Sequence, residues 1–391
     1  MKFRHLILPV ALCATLFTLT SCGDKDVVVT YHNGDKDETV TIKSTSDSKE
    51  VAKAVKALHY TAYLNKDKSV DLTKGKFGVN GKLDLTTDKV HSSSLSASLV
   101  YGLADPKNIA KDEDILNKTA LYAELNAELD FPEMQSVSML SMLTAFKSVS
   151  AHAYTDESKL YADVDLDSSV GETVTKTTIK GYLNKSNLLP YVSSTDIADE
   201  MGGINPFNKS SYTTIYNSLK NYNFYTSLNA VVNANTKDSS TYEDLDEIIE
   251  LIAGKKETLE KKVQDLGLTI SDAKNNQVTF SLDLKKTLTA AGAKITSSSN
   301  EDEFKVNCTI DIENFVGKSV SLDYSSTTQD ATATVKKIAA HVELNYEFGN
   351  EVPTLTNKSE YIVDFNGFLP QPEPFEPEPF ETDPSDTEQD A

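Results

Sequence analysis

The sequence predicts an α+β protein that is mainly β, with a large curved antiparallel sheet shaped like half of a barrel and helices packed on its apolar face. Three observations lead to this fold class. Several stretches alternate apolar and polar residues with a period of two, which is typical of strands with one buried and one solvated face. Helical periodicity is confined to a few segments. A sheet with few helices to cover its apolar face is most economical when it curves around them.

The first regular element is predicted to be an amphipathic helix near residues 48–64. Asp47 and Glu50 have the spacing of a capping pair. The stretch before the helix, residues 22–46, is polar and is predicted to be a tether. An alternative for part of it is a small hairpin around Asn33-Gly34, a favoured tight-turn pair. The apolar stripe of the helix comprises Val51, Val55, Leu58 and Ala62.

The strands of the first half come next, and their apolar residues fall on alternate positions. Asn80-Gly81 is a possible turn that would split the first strand into a hairpin. A doubly wound parallel sheet is disfavoured, because buried parallel strands are apolar on both faces. The apolar positions are Phe77, Val79, Leu83 and Leu85; Leu95, Ala97, Leu99, Tyr101 and Leu103; Leu121 to Phe131 at every second residue; and Leu160, Ala162, Val164 and Leu166.

A methionine-rich segment between two of these strands, Pro132 to Phe146, has a broad apolar stripe at helical spacing. It is predicted to be either a core helix that fills the sheet or a lid over an apolar cavity, since methionine side chains adapt to varied apolar partners. The candidate ligand-contacting or lid residues are Met134, Met139, Leu140, Met142, Leu143 and Phe146.

The middle of the chain loses the period of two, and a boundary between two domains is possible at 186–206. A helix is expected around Tyr212, Ile215, Tyr216 and Leu219. A longer helix is expected from Thr241 to a stop at Gly267, where helices commonly end.

The alternation returns in the second half, after a short helical patch at 285–291. Cys308 lies on the apolar side of one of these strands, so we expect it to be buried and inert. The apolar positions are Val278, Phe280, Leu282 and Leu284; Phe304, Val306, Cys308, Ile310 and Ile312; Val320, Leu322 and Tyr324; Ile338, Ala340, Val342, Leu344, Tyr346 and Phe348; and Tyr361, Val363 and Phe365.

The first 22 residues predict where the protein is located. Lys2 and Arg4 precede an apolar run that is too short and too interrupted to span a bilayer, and Leu19-Thr20-Ser21-Cys22 follows. This segment closely resembles the lipobox of bacterial lipoproteins. The resemblance implies cleavage between Ser21 and Cys22, acylation of Cys22, and a lipid-anchored extracytoplasmic protein in the cell envelope.

Residues 47–366 are expected to form the body of the protein. Its pattern resembles the half-barrel lipid carriers, namely the lipoprotein-carrier family of the Gram-negative periplasm and the mycobacterial glycolipid-transport lipoproteins. That resemblance is architectural, spans roughly residues 48–365, and implies an apolar cavity on the concave side of an unclosed sheet. It rests on no motif, so it transfers no functional residue.

The C-terminal residues 367–391 are predicted to be a disordered acidic tail. Pro-Glu-Pro-Phe-Glu occurs twice in tandem at 372–381, and the stretch from Pro370 holds six prolines and eight acids but no base. Such a composition favours extended, partly polyproline-like chain. Phe375 and Phe380 are candidates for docking in a groove; the alternative is a solvated bristle.

Charge and composition restrict the partners. Lys2 and Arg4 are the only charged residues of the first 21, so cleavage changes the net charge from −21 to about −23. This negative charge disfavours nucleic acid as a partner, because it repels the phosphate backbone. No histidine or cysteine spacing indicates a metal site, and no phosphate-binding or nucleophile motif is present, so we expect no cofactor and no enzyme.

Three functional hypotheses remain. The first is a non-enzymatic lipoprotein that binds a lipid or other apolar ligand in its sheet. The second is a surface or structural lipoprotein with a filled core and a protein or cell-wall partner. The third is an enzyme without a recognisable motif. An apolar cavity would favour the first and a filled core the second.

Overall fold

The computed structural model describes residues 27–33, 36–64, 67–131, 146–170, 173–192, 205–226, 259–271, 277–290, 292, 302–312, 314, 316–328, 330 and 332–369. Its strands are β1 Val27–Asn33, β2 Lys36–Ile42, β3 Lys74–Thr86, β4 Val90–Gly102, β5 Ala120–Glu128, β6 Phe146–Thr155, β7 Lys159–Val170, β8 Thr173–Asn184, β9 Thr269–Ile270, β10 Gln277–Asp283, β11 Glu303–Asp311, β12 Val316–Thr327, β13 Lys337–Phe348 and β14 Val363–Asp364.

The described residues contain fewer helices than strands. The α-helices are α1 Ser48–Leu64, α2 Glu113–Lys118, α3 Leu189–Val192, α4 Lys209–Lys220, α5 Leu259–Leu266 and α6 Leu284–Ala290. Within the described ranges, none of them has the length and hydropathy that crossing a membrane requires.

One open sheet of 12 strands dominates the described fold. Its order is β14-β8-β7-β6-β5-β4-β3-β13-β12-β11-β10-β9, and every pairing is antiparallel except that between β14 and β8. Two runs of neighbouring strands therefore meet where β3 pairs with β13. The predicted mainly β fold with one large, unclosed antiparallel sheet is confirmed.

The register separates two chemically distinct faces. One row of directly paired residues crosses eleven strands and is entirely apolar; we call it the apolar row, and its side of the sheet the apolar face. The row is Ile179, Val164, Ala151, Leu125, Ala97, Val79, Leu344, Val320, Cys308, Phe280 and Ile270.

The opposite side of the sheet, which we call the polar face, is as uniformly polar as the apolar face is apolar. A row on it crosses ten strands without one apolar residue: Thr178, Asp165, Ser150, Asn126, Ser96, Asn80, Glu343, Ser321, Asn307 and Ser281. Because successive side chains of a strand point to opposite faces, the alternation in the sequence produces these two rows directly.

The largest hydrophobic core lies at the β9 edge of the sheet. Side chains of α1, β2 and α5 form one buried cluster with residues of β9, β10 and β11. Thr45, just after β2, also bridges Ile270 of β9 through two backbone hydrogen bonds of 2.9 and 3.0 Å. The cluster contains Val40, Ile42, Val51, Ala54, Val55, Ala57, Leu58, Phe224, Val263, Leu268, Ile270, Val278, Phe280, Ile310 and Ile312.

A second, smaller core joins α2 and α4 at one end of the strands. Ile109, Ile115, Tyr212 and Tyr216 are its buried residues. Beside it, Lys185 is 1% exposed, and its Nζ donates to the carbonyl oxygens of Leu116 and Asn117 at 3.0 and 3.1 Å. These carbonyls belong to the last turn of α2, where a cation is favourable. Burial nevertheless lowers the pKa of Lys185 to about 8.

Several local predictions are settled by the described residues. The helix near 48–64, the helix around Tyr212 and the helix end at Gly267, whose φ is +55°, are confirmed. Strands β1 and β2 pair antiparallel along their whole lengths, as the alternative hairpin requires, so these two segments are not a plain tether. The turn at Asn80-Gly81 was wrong: β3 is continuous there, since both residues stay paired with β4 and β13.

Candidate apolar binding face

The middle of the apolar face exposes large hydrophobic side chains to solvent. On β12, β13, β3, β4 and β5, which we call the open middle, ten such residues are between 36 and 53% exposed. Monomeric soluble proteins rarely expose contiguous apolar patches of more than a few hundred Å², and larger ones mark binding surfaces. The ten are Phe77, Leu95, Leu99, Leu125, Val320, Leu322, Tyr324, Ile338, Val342 and Leu344.

A shallow depression of about 410 Å³ lies on this face across β3 to β7. Its size falls within the roughly 300–1,000 Å³ of small-molecule sites. Space exists there because small side chains occupy neighbouring positions on four strands, while larger ones surround them. The small residues are Ala97, Ala123, Ala151, Ala153 and Ala162; the larger ones are Phe77, Val79, Leu99, Leu125 and Val164.

An aromatic cluster lies toward one end of the depression. The Phe77 ring is 5.7 Å from that of Tyr101 and 4.8 Å from that of Tyr346. Tyr101 Oη donates to the Leu72 carbonyl at 2.8 Å, so its 3.0 Å contact with Tyr346 is donated by Tyr346. Burial raises the pKa of both phenols, which stay neutral. A Cβ on Gly75 would lie only 2.8 Å from the Tyr346 ring, so glycine permits this approach.

The apolar face has a polar group at the opposite end of β4. His91 is buried, and its Nδ1 lies 3.0 Å from Asp130 Oδ1. Ser93 Oγ donates to the Asp130 carbonyl at 3.1 Å and accepts from the Asp130 backbone N–H at 2.9 Å. The hydrogen bond with His91 holds the pKa of Asp130 below its usual range. These mutual bonds extend the β4–β5 pairing beyond Glu128 and explain a polar group on this face.

The polar face behind the depression contains a cross-strand network. His152 Nδ1 is 2.8 Å from Asp163 Oδ1, and Tyr361 Oη donates to the same carboxylate. Glu124 accepts from Tyr122 Oη at 3.1 Å and from Asn126 Nδ2 at 2.7 Å. The His152–Asp163 contact therefore stabilises the pairing of β6 and β7, whereas the bonds to Glu124 lie within β5.

The far edge of the sheet, at β8, is only partly covered. β14 pairs with two of its residues, Gly181 and Tyr182. Phe365 lies against Gly181, where a Cβ would be 2.5 Å from its ring. Gly181 is on the apolar face, since it pairs with Ala162. The chain thus returns to the apolar face at this edge, just before the tail.

Most of the sequence-predicted site residues lie outside the described residues: Ser21, Cys22, Met134, Met139, Leu140, Met142 and Leu143. Phe146 is described, and it begins strand β6 and not the end of a helix. It pairs with Ser168, and the register shifts between Phe146 and Ser148 because β6 has one extra residue, Lys147, opposite the step from Ser168 to Asp167.

Sequence reasoning missed the histidine–aspartate pairs. The His152 side chain is only 26% exposed and faces a buried Asp163. His341 similarly lies 2.6 Å from Asp323. Both pairs are directly opposite in the register, so strand alignment was the missing signal. Cys308 is buried, as predicted.

The described residues contain no cluster of three or more histidine, cysteine or acidic side chains suited to a metal ion. The depression is lined by apolar side chains, so it fits an uncharged hydrocarbon surface better than a charged cofactor. No protein-family model matches the chain, and no curated protein is significantly similar to it in sequence.

Proposed function

We propose that this chain is a membrane-anchored extracytoplasmic lipoprotein, without enzymatic activity, that binds a lipid acyl chain or similar apolar ligand on the open middle of its sheet. The observation that carries the proposal is the set of ten large hydrophobic side chains, each 36 to 53% exposed, around a depression floored by alanines.

The energetics favour a hydrocarbon ligand. Removing apolar surface from water contributes about 25 cal/mol per Å², so covering about 300 Å² of this face would contribute about 7.5 kcal/mol before the costs of binding. A hydrocarbon chain matches the apolar row, because within the open middle this row contains no side chain that forms hydrogen bonds.

The proposed anchor supports access to lipid. Val27, the first residue of β1, follows Cys22 by five residues, which span at most about 18 Å when extended. An acylated Cys22 would therefore hold the β1–β2 hairpin close to the bilayer surface. The bridge from Thr45 to Ile270 then places the β9 edge on the same side.

In this proposal the helices cover only part of the apolar face. The core shared by α1, α5 and strands β9 to β11 supports such an arrangement at the β9 edge. We therefore propose that the sheet has the shape of half a barrel, with helices packed on part of its apolar face and the rest of that face left for ligand.

Native mass spectrometry of the chain from Gly23 to Ala391 tests the proposal, with the same sample under denaturing conditions as reference. We expect an adduct of lipid mass that is lost on denaturation, and saturable uptake of a fluorescent fatty acid. Ala151→Phe should fill the depression and weaken uptake at least about tenfold, or 1.4 kcal/mol.

Ala339→Phe is the matched control, because Ala339 pairs with Asp84 on the polar face. It should leave uptake unchanged. A bare mass together with no fatty-acid uptake by the unaltered chain would reject ligand binding. Equal losses in the two variants would reject the depression as the site.

A further inference from the structure

The C-terminal tail starts beside the apolar face. β14 runs parallel to the edge strand β8, and the Phe365 backbone N–H donates to the Tyr182 carbonyl at 2.9 Å. The Phe365 ring lies over Gly181 on the apolar face, and the Phe368 ring is 6.3 Å from it. The described chain ends one residue later, at Leu369, so residues 370–391 begin at the rim of this face.

The two phenylalanines of the tail have a spacing that matches the open middle. An extended polyproline chain rises about 3.1 Å per residue, so in that conformation Phe375 would reach about 19 Å from Leu369 and Phe380 about 34 Å. Neighbouring strands are about 4.8 Å apart, which places β4 about 19 Å and β12 about 34 Å from β8. Both distances end at exposed hydrophobic side chains: Leu95 and Leu99 on β4 for the first, Val320 and Leu322 on β12 for the second.

We propose that Phe375 and Phe380 of the tail dock on the open middle of the apolar face of the same chain and compete there with the ligand. This inference rests on the proposed function, because it names the regulation of that same surface. The acids that flank each phenylalanine would remain in solvent, as the polyproline spacing allows.

Tethering favours such docking, although each phenylalanine ring contributes only a small binding free energy. A flexible connection of this length gives an effective concentration in the millimolar range. Burial of a phenylalanine side chain contributes about 1.5–3 kcal/mol. Opposing this, the tail is repelled by the rest of the mature chain, because residues 22–369 have a net charge of about −15 once the eight acids of the tail are left out. Salt screens that repulsion, so docking should strengthen as ionic strength rises.

Photo-crosslinking tests the contact without reference to ligand. Benzoylphenylalanine would replace Phe375 or Phe380 in the chain from Gly23 to Ala391, and adducts would be mapped by mass spectrometry. We expect adducts on β4 and β5 from position 375 and on β12 and β13 from position 380. Adducts elsewhere, or none, would overturn the proposal. Adducts between light and isotope-labelled chains would assign the face to a second copy and also overturn docking in cis.

Competition tests the regulatory role. Fatty-acid affinity would be compared between the unaltered chain and the variant Phe375→Ser/Phe380→Ser, which should bind roughly fivefold or more tightly. Phe368→Ser is the matched control, since Phe368 is 80% exposed and lies outside the repeat; its affinity should not change. Equal affinity of the double variant and the unaltered chain would overturn competition. If neither binds the probe, the ligand-binding proposal fails, and the crosslinks alone decide whether the tail docks.

Discussion

Two parts of the apolar row, the β9 edge and the open middle, have the same chemistry and different surroundings. At the β9 edge Ile270, Phe280 and Cys308 are 0, 2 and 7% exposed. Only two strands further, Leu344 is 53% exposed, and Leu125 is 37% exposed beyond it. All five belong to one row of directly paired residues. Strand patterning therefore accounts for the face but not for its burial.

The difference comes from the elements that pack beside the strands. At the β9 edge, α1, β2 and α5 supply apolar side chains to a common core. A strand buries its apolar side only where another element supplies a matching surface. The β9 edge consequently stabilises the fold, whereas the open middle retains apolar surface for the binding that we propose.

The largest expected effect compares two truncations in this row. Phe280→Ala should lower the free energy of unfolding by about 3–5 kcal/mol, because it creates a cavity in a filled core. Leu344→Ala should lower it by less than about 1 kcal/mol, since half of that side chain is already in solvent. Urea denaturation followed by circular dichroism measures both changes.

Equal losses for the two variants would contradict the comparison, because they would mean that the open middle is packed as firmly as the β9 edge. Leu344→Ala carries a second expectation: it should weaken fatty-acid uptake, whereas a Phe280→Ala protein that is still folded should retain it.

Much of this sheet could be predicted from the sequence because its alternation is regular. In strands such as β5 and β13 the alternation shows directly which residues lie on the apolar face. The burial of Cys308 was predicted correctly from the residues that alternate with it. β8 was missed, since Thr175, Thr177 and Ile179 have little contrast with the lysines and threonines between them. Its strand conformation depends on pairing with β7, which is information that a single stretch of sequence does not contain.

The candidate site could be predicted only in part, for a related reason. The alanines of the depression are on four strands, β4 to β7, and the sequence of any one strand does not show that Ala97, Ala123 and Ala162 lie close together. The buried position of Lys185 was equally hidden, because it depends on contact with α2 some 70 residues earlier. Strand order and long-range pairing decide both.

Lys185 extends the comparison to a buried charge. Its pKa is lowered to about 8 by burial, whereas an exposed lysine has an ordinary value of 10.5. Above pH 8 the unfolded chain binds more protons at this residue than the folded chain, so stability should rise with pH. Between pH 8 and pH 10 the gain should be on the order of 2 kcal/mol. Lys185→Met should remove that rise in pH-dependent urea denaturation.

Lys176→Met is the control for this measurement, because the Lys176 side chain is 80% exposed. It should retain the rise in stability. A slope that persists in Lys185→Met would show that another group is responsible. The range ends at pH 10 because the buried tyrosines, whose pKa is raised, then begin to destabilise the fold as their unfolded counterparts ionise.

The smallest expected effect concerns the far edge at β8, which neither core covers. In Gly181→Ala the new Cβ would lie 2.5 Å from the Val363 carbonyl and from the Phe365 ring, so β14 must shift away. The Phe365 amide donates a hydrogen bond to the Tyr182 carbonyl. Its opening free energy, measured by hydrogen exchange, should then fall by about 1–2 kcal/mol. Global stability should change by less than about 0.5 kcal/mol, because exchange at this edge is local. A loss of global stability as large as that of Phe280→Ala would instead show that the β8 edge belongs to the cooperative core. The open middle would then lie between two edges that both stabilise the fold.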